Sequence, residues 1–202
     1  MNLITPSLIR LIDSWLDEDI GRGDLSTMAL QIHFGSAYWI AKNPGIFCGS
    51  KIIEALFKRL DKSIQIKFLV EDGDKFELDQ KLLELEGPTI SLLAGERTAL
   101  NIAMHLSGIA TATSFIVEEL QGTGIKFADT RKTTPGLRIL EKYATRCGGG
   151  LNHRLGLDDA IMLKENHLNW SKDLKSTLKN LRIQAPWPTK IIVEAENSQQ
   201  AE

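Results

Sequence analysis

Basic side chains recur at short intervals in the second half of this sequence. Arg131 and Lys132 follow one predicted strand, and Lys164 follows a later one. His153 and Arg154 come directly after a run of three glycines and one leucine–asparagine pair. Guanidinium groups bind carboxylates through paired hydrogen bonds, whereas lysine ammonium groups bind phosphate as point charges. The set therefore predicts a pocket for a small ligand that carries several negative charges.

Each of these residues, taken alone, is also what a solvent-exposed loop carries. Their position favours a shared pocket, because the carboxyl ends of parallel strands meet at one edge of a sheet, where ligands bind. Arg138, Lys142 and Arg146 are interpreted differently. They recur every four residues on a predicted helix, so we expect them on its outer face or beside its carboxyl end.

Two acidic residues, Glu194 and Glu196, alternate on the last predicted strand and so point to the same face. Glu196 is nearer the carboxyl end, where it could hold Mg²⁺ through water beside a phosphate-rich substrate. The alternative is a strand whose polar face meets solvent. Cys48 and Cys147 are isolated in the sequence, so neither a disulfide framework nor a cysteine metal site is predicted.

Composition excludes several classes of protein. The chain has 202 residues, of which 43% are hydrophobic and 25% charged, as in ordinary soluble proteins. Its net charge of −2 provides no general attraction for nucleic acid or anionic lipid. The sequence contains no readable dinucleotide-binding glycine motif and no Ser-His-Asp arrangement. Because no signal peptide and no apolar run of membrane-spanning length are apparent, we expect a cytoplasmic protein without membrane partners.

The elements that must position these side chains change character along the chain. Thr5 and Pro6 predict a helix start, with the helix reaching about residue 19. Strands are then expected over residues 37–41, 64–69 and 81–86, around a helix over residues 50–60. A long apolar helix over residues 95–120 follows. This first part indicates a small α+β layer.

The second part alternates strands with helices, which is typical of parallel βαβ units. The predicted elements are a strand at 125–129, a helix at 135–146, a strand at 160–163, a helix at 174–183 and a strand at 190–195. A closed eight-stranded α/β barrel requires roughly 200 residues or more, and far fewer follow residue 124. We therefore predict an α/β protein with an N-terminal α+β sandwich domain over residues 1–105 and an incomplete barrel of parallel strands over residues 106–202, truncated relative to a closed barrel.

Several segments together resemble the quinolinate phosphoribosyltransferase family, also called carboxylating nicotinate-nucleotide pyrophosphorylase. The N-terminal part carries Glu18-Asp19, Gly23-Asp24 and Ser26-Thr27. The other matching segments, in family order, are residues 96–101 (ERTALN), 106–111 (LSGIAT), 129–136 (DTRKTTPG), 146–154 (RCGGGLNHR) and 163–167 (LKENH).

The resemblance implies that quinolinate and phosphoribosyl pyrophosphate react, with Mg²⁺, to nicotinate mononucleotide, pyrophosphate and carbon dioxide, in NAD biosynthesis. It also implies a homodimer in which Arg97 reaches the partner's active site. By the family pattern, Arg131, Lys132, His153, Arg154 and Lys164 bind the substrates. The catalytic residues would be Lys132, Lys164 and Glu196, with Glu196 near Mg²⁺ and ribose.

Two other functions remain open at this point. A transferase like the molybdenum-transport protein ModD is similar in outline and would act on another substrate. An inactive, truncated remnant would bind quinolinate without turnover. A second acidic residue and a glycine-containing phosphate loop, which the family carries on later strands, have no counterpart before Glu202.

Overall fold

The computed structural model describes residues 3–29, 31, 33–171, 173–195 and 197–198. The chain forms two compact units, each taken by itself below. The N-terminal unit consists of Met1–Asp129 and Thr133–Asn152, and the C-terminal unit consists of Thr130–Lys132 and His153–Glu202. The chain therefore passes between the units more than once.

The first helix, α1, extends over Pro6–Ile20. The Thr5 hydroxyl accepts a hydrogen bond from the backbone N–H of Leu8 at 3.3 Å, and Pro6 occupies the first helical position, where no N–H is needed. Leu8, Ile12 and Leu16 form its buried face. A short 3-10 helix, Leu25–Ala29, follows. The helix predicted from Thr5 and Pro6 to about residue 19 is therefore confirmed as α1.

A three-stranded antiparallel sheet has the order β1-β5-β3. Its strands are β1 (Phe34–Ile40), β3 (Gln65–Phe68) and β5 (Lys81–Pro88), so the three strands predicted in this part are present. The central strand buries Leu83 and Leu85. A separate two-stranded ladder pairs β2 (Gly45–Ile46) with β4 (Lys75–Phe76).

Three further helices complete the N-terminal unit: α2 (Ser50–Leu60), α3 (Thr89–Glu119) and α4 (Arg138–Cys147). The residues of α3 that are buried include Ala99, Ala103 and Ala110, whose small side chains allow close packing. An added Cβ at Gly148 would lie 2.3 Å from the Ala110 carbonyl oxygen, so the turn after α4 packs directly on α3. The helix predicted over residues 95–120 begins a turn and a half earlier, at Thr89.

Helix α3 has 31 residues and contains an 18-residue window of mean hydropathy 1.4, which is enough by length and composition to cross a membrane. Among the described residues this is the one helix that qualifies, although no membrane-spanning segment is expected from the sequence. It packs against α2, α4 and β2 within the N-terminal unit. Of the residues in that window, 22% are buried.

Two predictions for residues 125–146 are wrong: the extent of a strand and the start of a helix. The strand expected over residues 125–129 is reduced to an isolated parallel bridge between Ala128 and Leu151. The helix expected from Pro135 begins at Arg138, because residues 135–137 form a turn in which the Leu137 N–H donates to the Thr134 carbonyl at 3.0 Å. The domain boundary predicted between residues 105 and 106 falls inside α3 and stays a prediction.

The C-terminal unit contains a strand–helix–helix–strand sequence: β6 (Ile161–Leu163), α5 (Glu165–Trp170), α6 (Leu174–Gln184) and β7 (Ile191–Val193). The strands β6 and β7 are parallel neighbours, with Ile161 opposite Ile191 and Leu163 opposite Val193. The predicted βαβ arrangement and the α/β fold class are confirmed. The last strand is shorter than expected, so Glu194 follows it, and Glu196 lies outside the described residues.

Candidate active site

The two chain segments that carry the predicted basic residues start from neighbouring points of the N-terminal unit. The Asp129 N–H donates to the Leu151 carbonyl at 3.0 Å, and the Leu151 N–H donates to the Phe127 carbonyl at 2.9 Å. This is the hydrogen-bond pattern of a short parallel pair. Asp129 is the residue before the Thr130–Lys132 segment, and Asn152, which follows Leu151, is the residue before His153.

Lys142, on α4, links the two ends of this short parallel pair, Asp129 and Asn152. Its side chain is 2% exposed, and its Nζ forms an ion pair with Asp129 Oδ1. The Asn152 side-chain amide donates to Asp129 Oδ2 at 2.7 Å and to the Lys142 carbonyl at 2.8 Å. A buried cation needs such a partner, because burial without one is very costly. The prediction that Lys142 lies on the outer face of its helix is therefore wrong.

Arg138 also differs from the prediction of an outer-face residue. It is partly buried, and its Nε donates to Thr133 Oγ1 at 3.1 Å, which ties the start of α4 to the preceding loop. Arg146, in the last turn of the same helix, is exposed. Of the three evenly spaced basic residues, it is the one whose exposure matches the prediction.

Glu141 anchors the loop after the basic Arg131-Lys132 pair, and sequence reasoning missed it. Its side chain is 11% exposed; Oε1 lies 2.9 Å from His105 Nε2, and Oε2 accepts the Thr134 N–H at 3.2 Å. Burial disfavours ionisation of this carboxyl, but the hydrogen bonds from Thr134 and His105 outweigh burial, so its pKa lies below the ordinary value. His105, for which the sequence indicated no partner, thus contacts Glu141 of α4.

In the C-terminal unit, a basic and an acidic side chain follow the two parallel strands. Lys164 follows β6 and Glu194 follows β7, and Lys164 Nζ lies 2.7 Å from Glu194 Oε1. The Glu194 N–H continues the ladder by donating to the Leu163 carbonyl at 2.9 Å. Both side chains stay partly open to solvent, 48% and 42% exposed. Glu194 is thus the acid that the structure brings to Lys164, whereas Glu196, which the sequence favoured, lies outside the described residues.

The remaining predicted residues of the C-terminal unit lie as follows. The Arg154 N–H donates to His153 Nδ1 at 2.7 Å. The Arg154 guanidinium donates to the Ala160 carbonyl at 2.7 Å, just before β6, whereas Lys164 stands at the other end of that strand. Arg131 is half-buried and Lys132 is exposed. That all of these side chains converge over one mouth stays a prediction.

Arg97 belongs to the N-terminal unit, where it is exposed on α3. Leu93, Asn101 and Met104 are exposed nearby at helical spacing, and the exposed Phe115 lies on the same side of the helix about five turns further along. Positions three, four and seven residues apart share one face of a helix. Arg97 therefore lies on a partly apolar helix face that is open to solvent.

The part of the chain that the structure describes brings one set of potential metal ligands together. The one group of three or more histidine, cysteine or acidic side chains there is Cys48, Asp72 and Cys147, in the N-terminal unit. Cys48 and Cys147, predicted to be isolated, are thus brought together, but thiols do not suit Mg²⁺. In the C-terminal unit, the Glu194 carboxylate is of the right chemistry, since Mg²⁺ usually takes one or two carboxylates together with substrate phosphates and water.

Comparison with known proteins identifies relatives of both halves of the chain. The model of the quinolinate phosphoribosyl transferase N-terminal domain matches residues 24–107, and that of the C-terminal domain matches residues 109–202. The probable nicotinate-nucleotide pyrophosphorylase [carboxylating] of Synechocystis sp. is 44% identical over 192 residues, covering 95% of this chain and 65% of that protein. The corresponding probable enzyme of Bacillus subtilis is 44% identical, covering 96% of this chain and 67% of that protein.

The fold agrees with a solved structure as well. The crystal structure of NadC from Streptococcus pyogenes has a TM-score of 0.93 and 38% sequence identity to this chain. The match covers 100% of this chain and 72% of that one. The chain thus spans about two thirds of the length of the curated relatives that it matches.

Proposed function

We propose, since the chain belongs to the quinolinate phosphoribosyltransferase family, that the whole protein is a decarboxylating phosphoribosyltransferase. It would convert quinolinate and phosphoribosyl pyrophosphate into nicotinate mononucleotide, pyrophosphate and carbon dioxide, as a step of cytoplasmic NAD biosynthesis. The single observation that carries the assignment to particular residues is the Lys164–Glu194 contact of 2.7 Å at the ends of two parallel strands.

Quinolinate binding would fall to the basic residues. The ligand is a dicarboxylate, so the guanidinium groups of Arg131 and Arg154 are suited to paired hydrogen bonds with it. His153 and Lys164 would bind the same carboxylates. Lys132 is exposed and would meet the phosphate groups of the donor as a compact positive charge.

The transfer step would develop positive charge on the ribose ring as the pyrophosphate leaves. A carboxylate fixed beside that ring stabilises this charge, and Glu194, held by Lys164, is the described residue that fits this role. Glu196 remains a second candidate for the same position and for Mg²⁺. When bound, Mg²⁺ would neutralise charge on the leaving pyrophosphate, and Lys132 and Lys164 would add to that neutralisation.

A homodimer is part of the proposal. Leu93, Met104 and Phe115 are 48%, 57% and 66% exposed on the same helix face as Arg97. Large apolar side chains left exposed along one face of a helix favour an interaction surface. We propose that a second copy of the chain covers this face and that Arg97 then contributes to the partner's active site.

The test is an assay of the protein with quinolinate, phosphoribosyl pyrophosphate and Mg²⁺, in which nicotinate mononucleotide and pyrophosphate are both quantified. Calorimetry with quinolinate alone distinguishes the alternatives. Binding without turnover would indicate a remnant, and no binding of quinolinate, with binding of another carboxylate, would indicate a ModD-like transferase. Sedimentation measurements on the wild type and on Phe115→Glu test the dimer, which this variant should weaken.

A further inference from the structure

The two cysteines of the chain lie together inside the N-terminal unit. Cys48 follows β2 and Cys147 ends α4, yet their Sγ atoms and a carboxylate oxygen of Asp72 all lie within 4.8 Å of one another. Cys48 is fully buried, whereas Cys147 is partly open. The proposed transferase chemistry uses neither residue.

Asp72 holds both cysteine-bearing segments. The N–H groups of Gly49 and Ser50, which begin α2, each donate to Asp72 Oδ1 at 2.9 Å. The Tyr143 hydroxyl, one turn before Cys147 on α4, donates to Asp72 Oδ2 at 2.7 Å. The Cys48 N–H is fixed in turn by Ser107 Oγ of α3 at 3.0 Å. The two thiols are therefore held near each other by structure outside their own side chains.

The two thiols are chemically unequal. The Cys48 thiol donates to the Cys147 sulfur, and this bond, burial, and the charge of Asp72 raise the pKa of Cys48. The same hydrogen bond from Cys48 lowers the pKa of Cys147, with further help from the charge of Arg146, against burial and the charge of Asp72. Since the thiolate is the nucleophile, Cys147 is the more reactive of the pair.

Asp72 decides between a metal site and thiol chemistry. Its two carboxylate oxygens already accept three hydrogen bonds, from Gly49, Ser50 and Tyr143. A metal ion would have to compete with these contacts for its third protein ligand. Two cysteines remain close together, Cys147 half-buried and Cys48 fully buried, and a more open cysteine beside a buried one suits an attacking and a resolving pair.

We propose that Cys48 and Cys147 form a site of reversible oxidation by a peroxide. The Cys147 thiolate attacks one peroxide oxygen, the O–O bond breaks, and the leaving oxygen departs as water after taking up a proton, which leaves a sulfenic acid on Cys147. The Cys48 sulfur then attacks the Cys147 sulfur, the S–O bond breaks, and hydroxide leaves as water with the Cys48 proton. Two thiols are oxidised to one disulfide while one peroxide is reduced to two waters.

The bond would join the connection between β2 and α2 to the carboxyl end of α4. Cys147 directly precedes Gly148, where an added Cβ would lie 2.3 Å from the Ala110 carbonyl oxygen of α3. Because the crosslinked residues are far apart in the sequence, the closed loop is long, and long loops gain the most from a crosslink. We expect the oxidised protein to have a higher Tm than the reduced one.

The experiment exposes the reduced, full chain to hydrogen peroxide and maps its peptides without reducing agent. The expected result is one species in which the Cys48 and Cys147 peptides are linked within a single chain, with a mass lower by two hydrogens, reversed by dithiothreitol. In Cys48→Ser, Cys147 should be trapped by dimedone as a sulfenic acid. In Cys147→Ser, Cys48 should stay reduced.

Several outcomes would overturn the proposal. Thiols that survive peroxide, a linkage between two chains, or oxidation of Cys48 in Cys147→Ser as fast as in the wild type would each contradict it. A parallel sample titrated with Zn²⁺ covers the rival interpretation. If the isolated protein holds stoichiometric zinc and oxidises only after chelation, the cluster is a metal site instead.

Discussion

Lys142 and Asp129 form a buried ion pair between the middle of α4 and the residue that precedes Thr130. The pair, with the amide of Asn152, fixes the points from which both basic segments of the candidate site depart. Neither Lys142 nor Asn152 needs to touch a substrate for the site to depend on them. Their role is to position other residues.

Removing the cation should destabilise the protein strongly. Lys142→Met leaves the Asp129 carboxylate buried without its charge partner, and breaking a buried pair in this way costs about 3–5 kcal/mol. Chemical denaturation of the variant and of Arg146→Met, an exposed position on the same helix, measures the difference. The double variant Lys142→Met with Asp129→Leu should regain part of the loss. A loss in Lys142→Met no larger than that in Arg146→Met would show that the pair contributes nothing.

Glu141 predicts a pH dependence of stability. Its pKa is lowered in the folded protein, because the hydrogen bonds from Thr134 and His105 outweigh burial. Its ionised form therefore stabilises the fold above the ordinary glutamate pKa of about 4.3, and this contribution is lost as the pH falls from there through the lower, folded pKa. Glu141→Gln should flatten the acid limb of a plot of unfolding free energy against pH. Parallel curves for the two proteins would contradict this.

Glu194 should matter for turnover and little for stability. The Lys164–Glu194 pair is about half-exposed, so its loss should cost only about 0.2–1 kcal/mol. If Glu194 stabilises charge on the ribose, Glu194→Gln should lower kcat on the order of 10²–10³-fold. The matched control is Glu118→Gln, which breaks the similar 2.6 Å contact with Lys75 in the N-terminal unit. A large loss of kcat in Glu196→Gln, with none in Glu194→Gln, would return the role to Glu196.

Arg131 should contribute to quinolinate affinity. Replacing it with alanine should weaken binding by about 1.5–3 kcal/mol, the scale of a hydrogen bond to a charged group, as measured by calorimetry. Arg138 is not a neutral control, since it donates to Thr133; Arg146→Ala is the better one because Arg146 is exposed. Equal affinities for Arg131→Ala and Arg146→Ala would remove Arg131 from the site.

Local patterns in the sequence were sufficient for the strongly periodic elements. The helix predicted over residues 50–60 is the observed α2, because its apolar residues recur at helical spacing between clear end signals. The same reasoning placed the strands of the antiparallel sheet and the β6–α–β7 unit. The strand predicted over residues 125–129 is present only as the Ala128–Leu151 bridge. The segment is short, follows Gly122 and Gly124, and is largely exposed.

Partners distant in sequence could not be read from spacing. Lys142 looked like an outer residue because the four-residue interval with Arg138 and Arg146 does not reveal that Asp129 lies against one of them. Cys48 and Cys147 looked isolated for the same reason. The choice between Glu194 and Glu196 depended on where β7 ends, and a strand end is among the least certain features of a sequence.

The discontinuous N-terminal unit limits how this chain can be divided. Its second piece, Thr133–Asn152, supplies α4 and therefore the partners of Asp129, His105 and Asp72. A gene fragment that stops at residue 107, where the first family model ends, would cut α3 in its middle and omit α4 altogether. The shortest N-terminal piece that keeps this unit whole should instead reach Asn152, and a piece that ends at residue 107 should be insoluble when it is expressed.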